Sequence, residues 1–253
     1  MPPHPQRRSH AEAVACAQES HRRPANLACA AKRAFDIAAA CCLLLCLAPI
    51  MVLVALLIKF DSRGPVFFRQ WRTGKDGVPF SIVKFRTMVQ HETPAHALDF
   101  VRTGDPRITR LGRLLRNTSI DELPQIFNVL RGEMAMVGPR PQPLCHFDHF
   151  APLIPEYTLR LSAKPGITGL VQVSDMRSLV DNIEDHRRRV LMDLEYMDGW
   201  SIWLDVVICI RTASTMLQRY EAHTKESPDD SPTVTCRCVP MLPLERMVDQ
   251  GRE

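Results

Sequence analysis

The sequence predicts a mostly helical α+β protein, in which a membrane helix precedes a small domain with a short β-hairpin and amphipathic interfacial helices. Three patterns predict this fold: a long apolar run, two short β-prone runs joined by a turn-rich stretch, and later helices with apolar and basic faces. At 253 residues the chain can bury one sizeable core, and a net charge of +4 is too small to name a partner class. Nine cysteines without a C-x-x-C pair fit a reduced, cytoplasm-facing protein.

The two ends of the chain differ in composition from its centre. Residues 1–30 are rich in Ala, Arg, His and Pro without helical or strand periodicity, which predicts a disordered basic segment. Residues 221–253 contain two Ser-Pro pairs and mixed charges, which predicts a disordered tail. We therefore expect the folded part to lie between them.

The apolar run at 34–58 carries a single charge, Asp36, and is long enough to cross a bilayer core. A signal peptide fits less well, because the apolar region is too long and no small-residue cleavage site follows. Pro49 inside the run favours a kink. Basic residues flank both ends, which places both ends in the cytoplasm by the positive-inside bias: Arg22, Arg23, Lys32 and Arg33 before it, and Lys59, Arg63, Arg69 and Arg72 after it. A re-entrant helix broken at Pro49 satisfies both facts, and a straight span with a tolerated proline is the alternative.

The elements after the membrane run are short. Residues 66–68 and 80–88 are predicted strands of a hairpin, joined by a stretch containing Gly74, Gly77 and Pro79. Asp105 as N-cap and Pro106 at the first helical position predict a helix whose apolar side could lie on an anionic membrane. Packing against the core is the alternative for this helix. Residues 200–217 form a further apolar-rich helix, with Trp200 and Trp203 placed to reach the lipid headgroups.

Two adjacent carboxylates, Asp121 and Glu122, are the strongest candidates for chemistry. Ser119 and Glu122 form a capping-box pattern, although Asp121 as N-cap leaves Pro124 without a lost hydrogen bond and is the preferred register. Either register puts both acids in the first turn, where the positive helix end keeps Asp121 ionised and attracts phosphate. Glu122 is a suitable oxygen ligand for Mg²⁺. Acid pairs at helix starts are common without function, so this pattern alone is weak.

Basic side chains close to this pair in sequence strengthen the prediction of a phosphate site. They are Lys84, Arg86, Arg116 and Arg140. No Gly-rich phosphate loop is present, so side chains would have to bind a nucleotide. The basic face at 107–116 resembles ordinary solvated surface, and we do not expect nucleic acid as a partner.

Several ordered motifs between Lys32 and Leu217 resemble the bacterial sugar transferase family, the monotopic phosphoglycosyl transferases that start glycan assembly on polyprenyl phosphate. The matching segments are Lys32-Arg33 with Asp36, then residues 64–70, 84–88, 105–109, 119–125, 128–132, 137–141 and 165–169. Their number and order make the resemblance specific.

The resemblance implies a re-entrant membrane helix at 31–60, broken near Pro49, and a cytosolic phosphoglycosyl transferase domain at 61–220. It implies an enzyme of the bacterial inner membrane that transfers a sugar 1-phosphate from a UDP-sugar to undecaprenyl phosphate, with UMP released and Asp121 as the nucleophile. Such a reaction would initiate exopolysaccharide, capsule or other glycan assembly. Glu122 would hold Mg²⁺, and the implied substrate-binding residues are Lys84, Arg86, Arg116, Gln125, Pro139, Arg140 and Pro141.

Two departures from the family pattern stand out. Ala48 precedes the membrane proline where many relatives have Ser, and residues 170–177 differ from the usual Trp-Ala-Gln-Val and Asn-Gly-Arg stretches, which leaves the donor sugar open. An alternative function is a catalytically silent scaffold that recruits downstream glycosyltransferases, which the intact Asp121, Glu122 and Arg140 argue against. Confinement to a lipid bilayer makes a homodimer possible.

Overall fold

The computed structural model describes residues 26–89, 105–174 and 183–225. The predicted disordered ends at 1–30 and 221–253 fall mostly outside these ranges, although the first helix begins at Asn26 and the last ends at Lys225. The helices are α1 Asn26–Asp61, α2 Arg110–Asn117, α3 Ile126–Arg131, α4 Leu144–Phe150, α5 Ile183–Asp198 and α6 Ile202–Lys225. The strands are β1 Phe67–Thr73, β2 Pro79–Phe85, β3 Ala135–Val137 and β4 Gly166–Thr168. A mostly helical α+β fold is confirmed.

Helix α1 is 36 residues long and continues through Pro49. By length and composition, its part Cys29–Asp61 could cross a membrane. One face packs on the rest of the protein through Ala40, Met51 and Ile58, which are almost fully buried. Many other apolar side chains of the helix are exposed: Ile37, Leu43, Leu45, Ile50, Val52, Leu53, Leu56, Leu57 and Phe60. Such a continuous exposed apolar surface is typical of a membrane-associated protein.

The predicted hairpin is confirmed. β1 and β2 pair antiparallel, with Phe67 opposite Phe85 and Thr73 opposite Pro79. A short 3₁₀ turn, Lys75–Gly77, joins them. Most of β1 is exposed, whereas β2 buries alternate side chains such as Phe80 and Ile82. β2 is therefore the strand that carries the hairpin onto the core.

A second, parallel pair of strands was not predicted from the sequence. β3 and β4 pair Ala135 with Gly166 and Val137 with Thr168. β3 is only three residues long and fully buried, so it shows no alternation of polar and apolar residues that would mark a strand. The pair lies in the core around Met134 and Val137, between α1, α3 and α6.

Helix α2 begins later than its sequence suggested. The predicted start at Asp105 and Pro106 is wrong, since Thr109 is the N-cap and its hydroxyl accepts from the Gly112 N–H at 2.8 Å. Asp105 instead accepts from the backbone and guanidinium of Arg107. This local turn satisfies the carboxylate before the helix begins, as Asp side chains often do.

Helices α5 and α6 close the other side of the core. Trp200 does not reach outward, because its indole N–H donates to Asp205 at 3.1 Å and its ring packs on the core. Trp203 is 73% exposed. Only Trp203 of the two is therefore placed for contact with lipid headgroups.

Candidate active site

Asp121 and Glu122 lie in the first turn of a 3₁₀ helix, Ile120–Gln125, which connects α2 to α3. The preferred prediction of Asp121 as the N-cap is wrong. Ser119 occupies the N-cap position, as in the capping-box alternative, but its side chain makes no capping hydrogen bond. Ser119 has φ 57° and ψ 16°, a left-handed conformation that is uncommon for residues other than glycine. This turn presents two consecutive acids at the start of the helix.

Glu122 is held by two cations from different parts of the fold. Its Oε1 accepts from Lys84 Nζ at 2.7 Å and from an Arg140 guanidinium nitrogen at 3.1 Å. Lys84 lies on β2, and Arg140 follows β3. Burial alone would raise the pKa of Glu122, but the charges and hydrogen bonds of Arg140 and Lys84 outweigh it and hold that pKa far below its usual range. Glu122 is therefore ionised at any physiological pH.

Asp121 has the opposite electrostatic character. Burial raises the pKa of Asp121 to about 6, against the opposing charge of Lys84 and with the support of the neighbouring Glu122. The positive helix end was predicted to keep Asp121 ionised, but its effect on the pKa of Asp121 is smaller than the effect of burial. A carboxylate with a raised pKa is poorly solvated and remains largely ionised at neutral pH, which suits a nucleophile.

Buried polar side chains fix the positions of Lys84 and Arg140. Asn128 is fully buried and accepts from the Val83 N–H at 3.0 Å while donating to the Ser81 carbonyl at 2.8 Å, so it ties α3 to β2 beside Lys84. The buried Arg160 donates to the Arg140 carbonyl at 3.0 Å and forms an ion pair with Asp193. The acid pair and its cations are therefore set on rigid elements.

A cleft of about 470 Å³, part of it open to solvent, borders this cluster. Its wall includes Ser119, Glu122, Arg140, Thr168, Gln172 and Thr215. Only about 50 Å³ of this space is enclosed, so a bound ligand would extend into the open part of the cleft. The cleft combines a charged end, near Glu122 and Arg140, with a neutral polar side near Gln172.

The other predicted substrate residues lie at different distances from this centre. Arg116 is close enough for its charge to lower the pKa of Asp121. Gln125 is 2% exposed, within the same 3₁₀ helix. Pro139 and Pro141 line a second cavity on the other side of Arg140, with Thr73, Tyr157 and Arg160. Among the described residues, no contact shows a substrate-binding role for Arg116, Gln125, Pro139 or Pro141. Their contacts with substrate therefore stay predictions.

Comparison with known proteins now places this site in a family. The family model for "Bacterial sugar transferase" matches residues 27–219, which include every element described here up to α6. The chain belongs to the bacterial sugar transferase family. Among named relatives, it is 46% identical over 192 residues to the UDP-glucose:undecaprenyl-phosphate glucose-1-phosphate transferase of Caulobacter vibrioides, covering 76% of this chain and 72% of that protein. The predicted resemblance is confirmed, and the protein is an enzyme, a phosphoglycosyl transferase.

Two further relatives are longer than this chain, and one of them is named for a different sugar. A protein of Klebsiella pneumoniae with the same name is 44% identical over 181 residues, covering 72% of this chain and 39% of the relative. A UDP-N-acetylgalactosamine-undecaprenyl-phosphate N-acetylgalactosaminephosphotransferase of Aeromonas hydrophila is 41% identical over 191 residues, covering 76% and 44%. The chain spans less than half the length of these two relatives.

Arg86, a predicted substrate residue, has its hydrogen-bond partners elsewhere in the fold of this transferase. Its guanidinium donates to the Ser62 carbonyl at 2.6 Å, to the Ser62 hydroxyl at 2.9 Å and to the Arg63 carbonyl at 2.9 Å. These acceptors follow the end of α1, where helix carbonyls lack intrahelical partners and attract cations. Arg86 therefore anchors the membrane helix to the hairpin and is not part of the Glu122 cluster.

Ser119 and Gln172 line the cleft but were not among the predicted substrate-binding residues. Ser119 carries the left-handed backbone, and Gln172 brings a buried amide to the cleft wall. Gln172 lies in a short 3₁₀ turn, Val171–Val173, within the segment 170–177 that departs from the family pattern. Only the tertiary arrangement brings it into the same cleft as Glu122.

The donor set near the acid pair determines which metal could bind. Among the described residues, no group of three or more His, Cys, Asp or Glu side chains is found that could hold a metal ion. A single carboxylate such as Glu122 can nonetheless hold Mg²⁺ when substrate phosphates and water complete its shell. The residues present thus fit a Mg²⁺ ion shared with a phosphate substrate, and do not fit a metal held by protein alone.

Proposed function

We propose that this transferase moves a sugar 1-phosphate from a UDP-sugar to undecaprenyl phosphate through a covalent intermediate on Asp121. The observation that carries the proposal is the pairing of Asp121, with its raised pKa, and Glu122, held ionised between Lys84 and Arg140, beside an open cleft. The reaction named for the relatives is of this kind. The product would be the first lipid-linked sugar of a growing glycan.

Each step exchanges one bond at the β-phosphorus. In the first, an Asp121 carboxylate oxygen attacks that phosphorus, and the bond to the bridging oxygen of UMP breaks with its electron pair leaving on UMP. In the second, a phosphate oxygen of undecaprenyl phosphate attacks the same phosphorus and returns the carboxylate of Asp121. Splitting the transfer in this way replaces one difficult step by two easier ones.

The basic residues would act through charge. Lys84 and Arg140 flank the acid pair, and the charge of Arg116 also reaches Asp121. Cations fixed near a transferring phosphoryl group stabilise its transition state without reorganising during the reaction. Glu122 would hold Mg²⁺, which would neutralise phosphate charge when bound.

The exposed apolar surface of α1 supports a site at a membrane, where a polyprenyl carrier resides. We propose that α1, which is one continuous helix in this structure, becomes re-entrant in the bilayer with a break near Pro49, and that the transferase domain faces the cytoplasm at the inner membrane. Basic residues at both ends of the apolar run support this orientation. A re-entrant helix would keep the ends of α1 and the catalytic cleft on the same side as the nucleotide donor.

The test is the release of UMP by the full chain in membranes or lipid nanodiscs. The protein would be supplied with Mg²⁺, undecaprenyl phosphate and a panel of UDP-sugars beginning with UDP-glucose and UDP-N-acetylgalactosamine. We expect UMP and a lipid-linked sugar diphosphate from some donors only. No UMP from any donor would reject the proposal and favour the scaffold alternative.

The rate of the first step is expected to depend on pH through Asp121. The carboxylate must be ionised to attack, and burial raises its pKa to about 6. In a two-step mechanism kcat/KM for the donor reports only the first step, so it should be constant above about pH 7 and fall tenfold per pH unit below about 6. Initial UMP release at low donor concentration measures this profile. A decline centred near pH 4, the ordinary carboxyl value, would contradict the assignment.

A further inference from the structure

The Gln172 side chain is a buried amide without a partner. The residue is 6% exposed, and both Oε1 and Nε2 are shielded from solvent with no hydrogen-bond partner in the described part of the chain. It lines the same cleft as Glu122 and Arg140. Burial of both a donor and an acceptor without partners is costly, and such groups usually have a ligand or functional role.

The three threonine hydroxyls of the cleft already have protein partners. The hydroxyls of Thr168 and Thr212 lie 2.6 Å apart, and Thr212 also donates to the Ile208 carbonyl at 2.7 Å. The Thr215 hydroxyl donates to the Arg211 carbonyl at 2.8 Å. The unused hydrogen-bonding capacity on this side of the cleft is therefore concentrated at Gln172.

The backbone turn around Gln172 positions its side chain at the cleft wall. Its N–H donates to the Gly169 carbonyl at 3.1 Å in the turn. A Cβ at Gly169 would lie 2.3 Å from the Gly138 carbonyl oxygen and 2.8 Å from Gln172 Oε1. Only glycine allows this approach, so the amide is packed closely over the end of β4, next to the segment that carries Arg140.

We propose that the Gln172 side chain turns its shielded amide toward the cleft that it lines and binds hydroxyl groups of the donor sugar, and that it is a substrate-binding residue that selects the donor. This inference rests on the proposed function. A hydroxyl both donates and accepts, so a pair of sugar hydroxyls satisfies Oε1 and Nε2 together. An ionised phosphate has no donor and would leave Oε1 unpaired.

The position of Gln172 favours the sugar over the uracil base, which could also pair with an amide. Gln172 shares a cleft with Glu122, which is adjacent to the proposed nucleophile Asp121. The sugar is bonded to the β-phosphate that Asp121 would attack. The base is separated from that phosphorus by the α-phosphate and the ribose.

The test combines changes in the enzyme with changes in the donor. Gln172→Met keeps the approximate shape of the side chain and removes both hydrogen-bonding groups. With UDP-glucose, or the donor that the UMP panel selects, we expect kcat/KM to fall about 10- to 100-fold, as two neutral hydrogen bonds are lost. With a monodeoxy donor that lacks one of the two hydroxyls bound by Gln172, the difference between the wild type and the variant should shrink, and with the dideoxy donor that lacks both it should vanish.

Three measurements separate the alternatives. Thr215→Val, which changes a hydroxyl already bonded to protein, should keep the wild-type preference among monodeoxy donors. Inhibition by UMP should be unchanged in Gln172→Met, and its thermal stability without donor should be equal or higher because an unsatisfied pair is removed. The same loss with every monodeoxy donor, or weaker inhibition by UMP, would overturn the assignment to the sugar. Absence of UMP release by the wild type would instead overturn the proposed function, and this inference with it.

Discussion

Asp121→Asn is expected to lower UMP release by about three orders of magnitude or more, since it removes the proposed nucleophile. The amide is nearly the same size as the carboxylate but cannot form the acyl-phosphate bond. When undecaprenyl phosphate is withheld and the donor is labelled in its β-phosphate, the wild type should retain label on the protein and the variant should not. Quantifying protein-bound label and UMP in a single turnover measures both effects.

Stability measurements distinguish this loss from unfolding. Burial raises the pKa of Asp121, so ionised Asp121 is unfavourable for folding and a neutral Asn should leave the melting temperature equal or higher at pH 7 to 8. Asp61→Asn, at an exposed carboxylate near the end of α1, serves as the control and should retain activity. Wild-type rates in Asp121→Asn would disprove the covalent mechanism while leaving family membership intact.

The main elements and the acid pair were predictable because their signals are local. The apolar run, the turn between two β-prone runs and the adjacent acids are all visible within short windows of sequence. Lys84 and Arg140 were named as neighbours of the acids on charge alone, and the structure brings both to Glu122. Local patterns thus suggested the centre of the site, and the ordered family motifs made that prediction specific.

The remaining features depend on contacts between distant segments. Lys84 and Arg86 are two residues apart, yet β2 ends at Phe85, and Arg86 turns to the carbonyls that follow α1. No local sequence pattern predicts these hydrogen-bond partners of Arg86. The sequence also does not show that the Gln172 side-chain amide lacks a hydrogen-bond partner among the described residues, because this depends on which groups the folded chain places around it.

Lys32→Met is expected to destabilise the protein by about 3–5 kcal/mol, because it leaves two buried carboxylates without their cation. Lys32 Nζ lies 3.0 Å from Asp36 and 2.8 Å from Asp205, whose residues are 2% and 0% exposed. Asp205 also accepts from the Tyr196 hydroxyl at 2.7 Å. Burial, with the charge of Asp205, raises the pKa of Tyr196, so its phenol remains a donor. This cluster joins α1 to α6, and its loss should lower the melting temperature by roughly 10 °C for a domain of this size.

Thermal unfolding in detergent or nanodiscs, followed by circular dichroism, measures this effect. Arg187→Met removes a cation from an exposed ion pair with Glu156 and should change the melting temperature little, since solvent already screens that pair. Adding Asp36→Asn to Lys32→Met removes one of the two unpaired charges, and its amide oxygen can still accept from the Met136 N–H, so part of the stability should return. If Lys32→Met melts like the Arg187→Met control, the cluster does not stabilise the junction of α1 with the domain. A loss in Lys32→Met that Asp36→Asn partly restores would instead identify charge balance, rather than lost packing of the lysine chain, as the stabilising factor.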